Sequence, residues 1–299
     1  MRALRGGKLK SQILNGEEYP PYLKDVDVTA FTLPGGPAPR PDWFAVGNPF
    51  FDLLPGMALW TTIWLREHNR IARIVEREHP TWDDERLYQT AKLIVVGRYL
   101  KILIEDYVQH LSGYNLKLLM DCRVAQDFIQ FQSRAYVEFG LMYQWHELMP
   151  EFHLINGTRF DVWSLFYQPH FLTRFGTKEL VASFSKQQAG AIGPLNDGNV
   201  TINVVAAALK GARSIGMQPY NNYRSAFGLE PYKTFEELTG EKELAAALRV
   251  LYKDVNAVEF YVGVMAEKIP DGAFFRLSMP NLIGISNYFL ELYTLLIRI

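Results

Sequence analysis

The chain has 299 residues, and its 31 basic and 32 acidic side chains give a net charge of -1. This length suits one large or two ordinary domains, and a hydrophobic content of 48% suits a packed globular core. The balanced charge removes the electrostatic case for nucleic-acid binding. The single cysteine, Cys122, excludes an intrachain disulfide bond and a zinc site built from cysteines.

Residues 1–54 are predicted to be extended and rich in loops. The prolines and glycines of residues 34–41 remove backbone donors and fix φ too often for a helix or a central strand. From Pro55 the pattern becomes helical, because apolar side chains recur every three and four residues across residues 57–75. Pro80 ends this first helix.

The rest of the chain is also predicted to be helical. Thr81 offers a side-chain oxygen as the N-cap of a second helix that runs to about His110. A third helix is expected over residues 127–148, before Pro150. Further helices are expected at about 178–187, 200–213 and 241–253, and a capping box at Thr234 and Glu237. No alternating strand pattern of useful length is found, so the sequence predicts a mainly α-helical single domain with long loops.

The two ends of the chain carry no clear membrane or secretion signal. The N-terminal positive charges are not followed by the apolar stretch of a signal peptide. Residues 282–299 are apolar but contain Glu291 and Arg298, so a buried or amphipathic helix is expected there rather than a membrane span.

The most interesting arrangement of side chains is Tyr143 and His146. Three residues apart on a helix, they would share a face, with Cβ atoms about 5–6 Å apart. If His146 bound a metal or haem iron, the phenol of Tyr143 would lie beside the cofactor. Spacing alone nevertheless favours an aromatic core helix with one buried imidazole, because single motifs are weak signals.

Five strings change this balance. They are IWLREHNR at 63–70, HPTWDDE at 79–85, IEDYVQHLSGY at 104–114, FEELTGEKE at 235–243 and DVNAVEFY at 254–261. These strings lie in order between about Leu4 and Met279, and together they resemble the cyclooxygenases, or prostaglandin endoperoxide synthases, of the animal haem peroxidase superfamily.

The resemblance implies an all-α, haem peroxidase-like catalytic domain that is incomplete at its N-terminus. The domain would cover residues 1–281, with residues 1–54 rich in loops and residues 55–281 forming the helical core. Residues 282–299 would be an apolar tail that the family pattern does not match.

The resemblance also implies the chemistry of the site. His146 would be the proximal ligand of haem b, and Tyr261 would lie near that ligand. Tyr143 would form the radical that takes a hydrogen atom from a polyunsaturated fatty acid. Val108, Leu111, Ser112, Phe139, Met142, Trp145 and Phe275 would line the fatty-acid channel, and Tyr114 would stand at its mouth.

Partners and location follow from the same resemblance. A polyunsaturated fatty acid, dioxygen and a hydroperoxide would be the substrates, and a full-length protein of this family would be a homodimer. It would lie on the lumenal side of the endoplasmic reticulum membrane, attached through elements that this chain does not contain.

The chain also departs from the family pattern. The distal histidine and glutamine of the family have no match in residues 1–54. Ser286 is one position out of register with the family's acetylatable serine, so that role is not carried over. Gln144 and Glu147 replace a usual histidine and proline beside His146. These departures predict an incomplete chain with impaired activity.

Three functions therefore stay open. The first is a haem-dependent fatty-acid dioxygenase and peroxidase that makes prostaglandin endoperoxide from arachidonate-type substrates. The second is another lipid dioxygenase of the haem peroxidase superfamily. The third is a non-catalytic helical binding protein descended from such an enzyme.

Overall fold

The structure is a computed structural model that describes residues 6–27, 36–112, 117–120, 137–269 and 278–279. These residues are mostly helical, which confirms the predicted all-α class. The helices are α1 (Pro55–Glu78), α2 (Asp84–Ile102), α3 (Gln109–Ser112), α4 (Val137–Met142), α5 (Val162–Leu165), α6 (His170–Lys186), α7 (Ile202–Ser214), α8 (Tyr220–Ala226), α9 (Phe235–Thr239), α10 (Lys242–Tyr252) and α11 (Phe260–Ala266).

Short elements connect these helices. Two antiparallel hairpins are present in the described residues, and the sequence analysis missed both. An Asn-Gly pair with positive φ at both residues turns each hairpin, as a tight two-residue turn requires. The hairpins are β1 (Gln12–Leu14) with β2 (Glu17–Tyr19) and β3 (Phe152–Ile155) with β4 (Thr158–Asp161), and the 3₁₀ turns are Leu23–Asp25, Pro49–Asp52, His146–Leu148 and Val255–Ala257.

Most of the predicted helices are confirmed, with adjusted ends. The N-cap predicted at Thr81 is wrong, because α2 begins at Asp84 and the side chain of Asp83 accepts the N–H of Arg86 at 2.7 Å. The backbone then continues as a π-helix over Leu103–Val108. The capping residue Thr234 is confirmed, since its side chain accepts the N–H of Glu237.

The predicted helix over residues 127–148 is wrong at its C-terminal end. Helix α4 ends at Met142, and Tyr143 starts a turn that leads into the 3₁₀ turn His146–Leu148. Trp145 has φ −86° and ψ 57°, which is not helical. Tyr143 and His146 therefore do not share the face of one helix.

The chain divides into two compact units, and the first contains residues 1–100 and 150–188. Its core includes Tyr19 and Phe44 together with apolar residues of α1 and α6. The REHNR string of α1 has a structural role here, because three of its side chains bind the N-terminal segment. Arg66 donates to the carbonyl of Glu18, a ring nitrogen of His68 lies 2.9 Å from the Gly7 carbonyl oxygen, and Asn69 accepts from Leu9 N–H.

A buried carboxyl group in this unit predicts pH-dependent stability. Asp52 is 4% exposed, and burial raises its pKa to about 7, although the backbone of Phe44 offsets part of that effect. Between the ordinary value of 3.8 and about 7, the folded chain binds more protons than the unfolded chain, so stability falls as pH rises. We expect a loss of as much as about 4 kcal/mol over this interval.

Urea unfolding at pH 5 and pH 8 measures this effect. Asp52→Asn should be more stable than the parent at pH 8 and should lack most of the pH dependence. The control is Asp161→Asn, whose side chain is 71% exposed. An unchanged pH dependence in Asp52→Asn would show that the carboxyl group is not held neutral by the fold.

The second unit contains residues 101–149 and 189–299. Its core is formed by α8, α9, α10 and α11, with Met142 of α4 packed among them. Gly263 of α11 lies against the ring of Tyr220 so closely that a Cβ atom at this position would overlap it. This unit contains the predicted site residues Tyr143, His146 and Tyr261.

Within the described residues, no helix has the length and apolar character needed to cross a bilayer. The apolar segment 282–299 lies outside the described residues. The catalytic domain over residues 1–281 and the tail over residues 282–299 stay predictions.

Candidate active site

Tyr143 lies at the C-terminal end of α4, where the helix opens into a turn. Its N–H still donates to the carbonyl of Phe139 at 2.9 Å. Its ring stacks on the Phe139 ring at 5.2 Å and lies against the Trp145 ring at 4.2 Å, tilted by 31°. The side chain is 37% exposed. The phenol ring is therefore packed against two aromatic rings, and part of it remains exposed.

A second tyrosine meets this phenol. The hydroxyl oxygens of Tyr107 and Tyr143 are 2.5 Å apart, which is a short hydrogen bond. Tyr107 belongs to the π-helical segment Leu103–Val108, a geometry that occurs frequently at functional sites. Tyr107 was not among the predicted site residues, although it lies inside the IEDYVQHLSGY string, directly before the predicted wall residue Val108.

His146 is the first residue of the 3₁₀ turn and is half-buried. Burial lowers the pKa of its imidazole, and the charge of Asp197 opposes that effect. The ring is therefore neutral at pH 7, which is the form that binds metals. Its Nδ1 atom is buried and has no hydrogen-bond partner among the described residues.

Glu147 follows this histidine in the chain, and Tyr261 contacts Glu147. The Tyr261 hydroxyl donates to Glu147 Oε1 at 3.3 Å, and both residues are 3% exposed. Burial, followed by the charges of Glu147 and Asp197, raises the pKa of Tyr261 above its usual value. The phenol is therefore a protonated hydrogen-bond donor. The sequence analysis noted Glu147 as a departure but did not foresee its burial, and it missed Asp197.

The structure describes part of the predicted channel wall. Phe139 and Trp145 contact Tyr143, and Met142 is fully buried in the core of the second unit. Val108 is half-buried and Leu111 is buried, and both follow Tyr107 on the same helical segment. Ser112 ends α3, but its side chain lies outside the described part, as do Tyr114, Phe275 and Ser286.

The donor chemistry at His146 fits haem. A single neutral imidazole with one nitrogen buried is the kind of axial ligand that haem iron accepts from a protein. The aromatic side chains Phe139 and Trp145 are of the type that packs against a large planar ring. In this arrangement His146 would hold the iron and Tyr143 would be the nearby group that can lose a hydrogen atom.

The family model described as "Animal haem peroxidase" matches residues 1–287. The chain therefore belongs to the animal haem peroxidase family. Within it, the chain is 44% identical to prostaglandin G/H synthase 1 of Mus musculus over 281 residues, which are 93% of this chain and 46% of that protein. It is also 44% identical to prostaglandin G/H synthase 2 of Equus caballus over 285 residues, which are 94% of this chain and 47% of that protein.

The chain is thus a relative of the cyclooxygenases, and it spans about half the length of the curated relatives that it matches. Solved structures agree on the fold. Peroxidase A from Dictyostelium discoideum matches with a TM-score of 0.76 at 24% identity, over 96% of this chain and 58% of that chain. Fatty acid alpha-dioxygenase of Oryza sativa matches with a TM-score of 0.75 at 20% identity, over 97% of this chain and 54% of that chain.

Proposed function

We propose that this chain is the part of a haem-dependent fatty-acid dioxygenase and peroxidase that carries the proximal histidine and the radical tyrosine. The product would be a prostaglandin endoperoxide made from an arachidonate-type polyunsaturated fatty acid. The single observation that carries this proposal is the turn after α4, which holds the stacked phenol of Tyr143 and the half-buried imidazole of His146 three residues apart. The prostaglandin G/H synthase relatives supply the substrate class.

In this proposal His146 binds the iron of haem b, and Tyr261 lies near that ligand. When bound, haem supplies the oxidising power, drawn from a hydroperoxide. Tyr143 loses the hydrogen of its O–H bond and then takes a hydrogen atom from the fatty acid, which restores the phenol and leaves a carbon radical. Two dioxygen molecules add to that radical, and the resulting peroxyl radical takes a hydrogen atom back from Tyr143, which completes the product and restores the tyrosyl radical.

Tyr107 would orient the radical tyrosine. Because the two hydroxyl oxygens are 2.5 Å apart, the O–H of Tyr107 can donate to the oxygen of Tyr143 once Tyr143 has lost its hydrogen. A hydrogen bond from Tyr107 stabilises a phenoxyl oxygen and holds the ring in one orientation. The stacked ring of Phe139 and the tilted ring of Trp145 restrict the movement of the same ring.

The substrate channel is part of the same proposal. An apolar wall with one polar group at its mouth suits an acyl chain that has a charged head. We assign the wall to Val108, Leu111, Ser112, Phe139, Met142, Trp145 and Phe275, with Tyr114 at the mouth. A homodimer at the endoplasmic reticulum membrane is the assembly and location expected for such an enzyme.

Removing the Tyr143 hydroxyl tests the oxygenase reaction. In haem-loaded Tyr143→Phe, we expect arachidonate-dependent oxygen uptake to fall by about 100-fold or more, because the positioned hydrogen-abstracting group is lost. The haem Soret band should be unchanged, since His146 remains. A Clark electrode and absorption spectroscopy measure the two properties.

The matched control is Tyr99→Phe, a tyrosine that is 50% exposed and lies on α2. Its oxygen uptake should equal that of the parent. Uptake by Tyr143→Phe at the parent rate would contradict the proposed radical position. A parent chain that binds no haem and takes up no oxygen would instead support a non-catalytic binding protein, whereas other oxygenated products would support a different lipid dioxygenase.

A further inference from the structure

Glu147 is buried although it lies in a short 3₁₀ turn. The turn His146–Leu148 follows the proposed iron ligand directly, and the glutamate is 3% exposed. The backbone of Gly190 packs against this turn, because its N–H donates to the carbonyl of Leu148 at 3.0 Å. A Cβ atom at Gly190 would overlap the carbonyl oxygen of Glu147. The turn is therefore packed closely from that side.

The side chain of Glu147 makes a contact with a second element. Tyr261, the second residue of α11, donates its hydroxyl to Glu147 Oε1 at 3.3 Å. The rest of the Tyr261 side chain is packed in the core of the second unit. This hydrogen bond thus connects the turn that carries His146 to a helix that is anchored in the core.

Burial of a carboxyl group has a cost that hydrogen bonding must offset. Transferring a polar group out of water without a partner costs roughly 1–3 kcal/mol by mutational data, and more for a charge. A glutamate in a turn could avoid this cost by pointing into solvent. Its burial in this turn is therefore maintained by its contacts, and Tyr261 is one of them.

Among the described residues, the imidazole of His146 lacks a hydrogen bond at one of its two ring nitrogens. Its Nδ1 atom has no hydrogen-bond partner in the described part of the chain. Histidines that bind metals are usually oriented by a hydrogen bond from the second ring nitrogen. The backbone of the turn sets where the ring is placed, and the contacts that hold the turn therefore contribute to the position of the ring.

We propose that Glu147 is a positioning residue for the haem ligand, because its hydrogen bond with Tyr261 fixes the turn that presents His146. This inference rests on the proposed function, in which His146 binds haem iron. Glu147 lies at the position where the cyclooxygenases usually have proline, whose ring restricts the backbone directly. In this chain a side-chain contact performs the restriction instead.

The experiment is a double-mutant cycle with haem as the probe. Glu147→Ala and Tyr261→Phe should each weaken haem affinity about tenfold, the lower end of the usual effect of such supporting groups. The haem affinity of the double variant should equal that of the single variant with the lower affinity, because both changes remove the same contact. Glu147→Gln keeps an oxygen acceptor for Tyr261 and should bind within about twofold of the parent.

Ferric EPR of the same samples gives a readout independent of turnover, and loss of the contact should broaden the haem signal. The control is Glu243→Ala, an exposed carboxylate on α10 in the same unit, which should behave as the parent. Thermal melting followed by circular dichroism identifies variants that fail to fold. If Glu147→Ala fails to fold, the comparison of Glu147→Gln and Tyr261→Phe with the parent still tests the proposal.

The possible outcomes separate the two proposals. If the parent binds haem and His146→Ala does not, but Glu147→Ala matches Glu243→Ala, only the positioning role is wrong. Losses that multiply in the double variant would also contradict it, because the two residues would then act independently. If the parent binds no haem, or His146→Ala binds as well as the parent, the proposed function is wrong and the positioning role falls with it.

Discussion

Replacing His146 with alanine should abolish specific haem binding. The parent chain, titrated with haem, should develop a Soret band typical of histidine-ligated iron, and His146→Ala should lose at least about 100-fold in affinity. Loss of groups that only support a ligand typically costs 10–100-fold, so loss of the ligand itself should exceed that range. The neutral state of the imidazole, which follows from its burial, is the physical basis of this expectation.

A second histidine provides a matched control. His153 of β3 also has a buried Nδ1 atom without a partner in the described residues, and burial also lowers the pKa of its ring. Its ring packs edge-on against Phe184 at 5.2 Å, in the first unit. His153→Ala should bind haem as the parent does. Equal haem affinity in His146→Ala and His153→Ala would contradict the assignment of the ligand.

Removing the buried carboxylate of Glu267 should have the largest effect on stability. Glu267 is fully buried, and its Oε1 atom accepts from Arg224 at 2.6 Å and from the Tyr232 hydroxyl at 2.9 Å. Its Oε2 atom accepts the N–H and the hydroxyl of Ser278 at 2.8 and 2.7 Å. Glu267→Ala leaves a buried guanidinium without its partner, which costs about 3–5 kcal/mol.

Urea unfolding followed by circular dichroism measures this loss. The control is Glu236→Ala, which removes an exposed ion pair with Arg249 in the same unit and should leave the unfolding midpoint unchanged. Glu267→Gln keeps the size and the two hydrogen bonds accepted by Oε1, but its amide nitrogen cannot accept from Ser278, so it should fall between the parent and Glu267→Ala. A midpoint for Glu267→Ala equal to that of Glu236→Ala would show that the network does not stabilise this unit.

Periodicity was sufficient to predict the longer helices. The apolar stripe of α1 and the cap at Thr234 depend on neighbours in the sequence, and the structure confirms both. The cap of α2 lies at Asp83, two residues after the predicted Thr81. The two hairpins were missed because strands of three and four residues are too short for an alternating pattern. The Asn-Gly pairs at residues 15–16 and 156–157 were the available signal.

The geometry of the site could not be predicted in the same way. Residues 143–146 contain neither glycine nor proline, so nothing local indicates that α4 ends at Met142. The turn that follows is held by contacts distant in sequence, those with Gly190 and Tyr261. The buried state of Glu147 depends on the same contacts, and composition alone would place a glutamate at the surface.

The resemblance to cyclooxygenases identified Tyr143 and His146, and the structure changes how they are presented. They lie on a turn, so the distance between the phenol and the iron would depend on the contacts of that turn. The hydroxyl pair of Tyr107 and Tyr143 was not part of the sequence-based prediction, because the two residues are 36 positions apart.

Freeze-quench EPR of the haem-loaded chain, mixed with a hydroperoxide, tests the central claim most directly. We expect a tyrosyl radical in the parent chain and none in haem-loaded Tyr143→Phe. The same radical signal in both proteins, or no signal in a parent that has bound haem through His146, would contradict it.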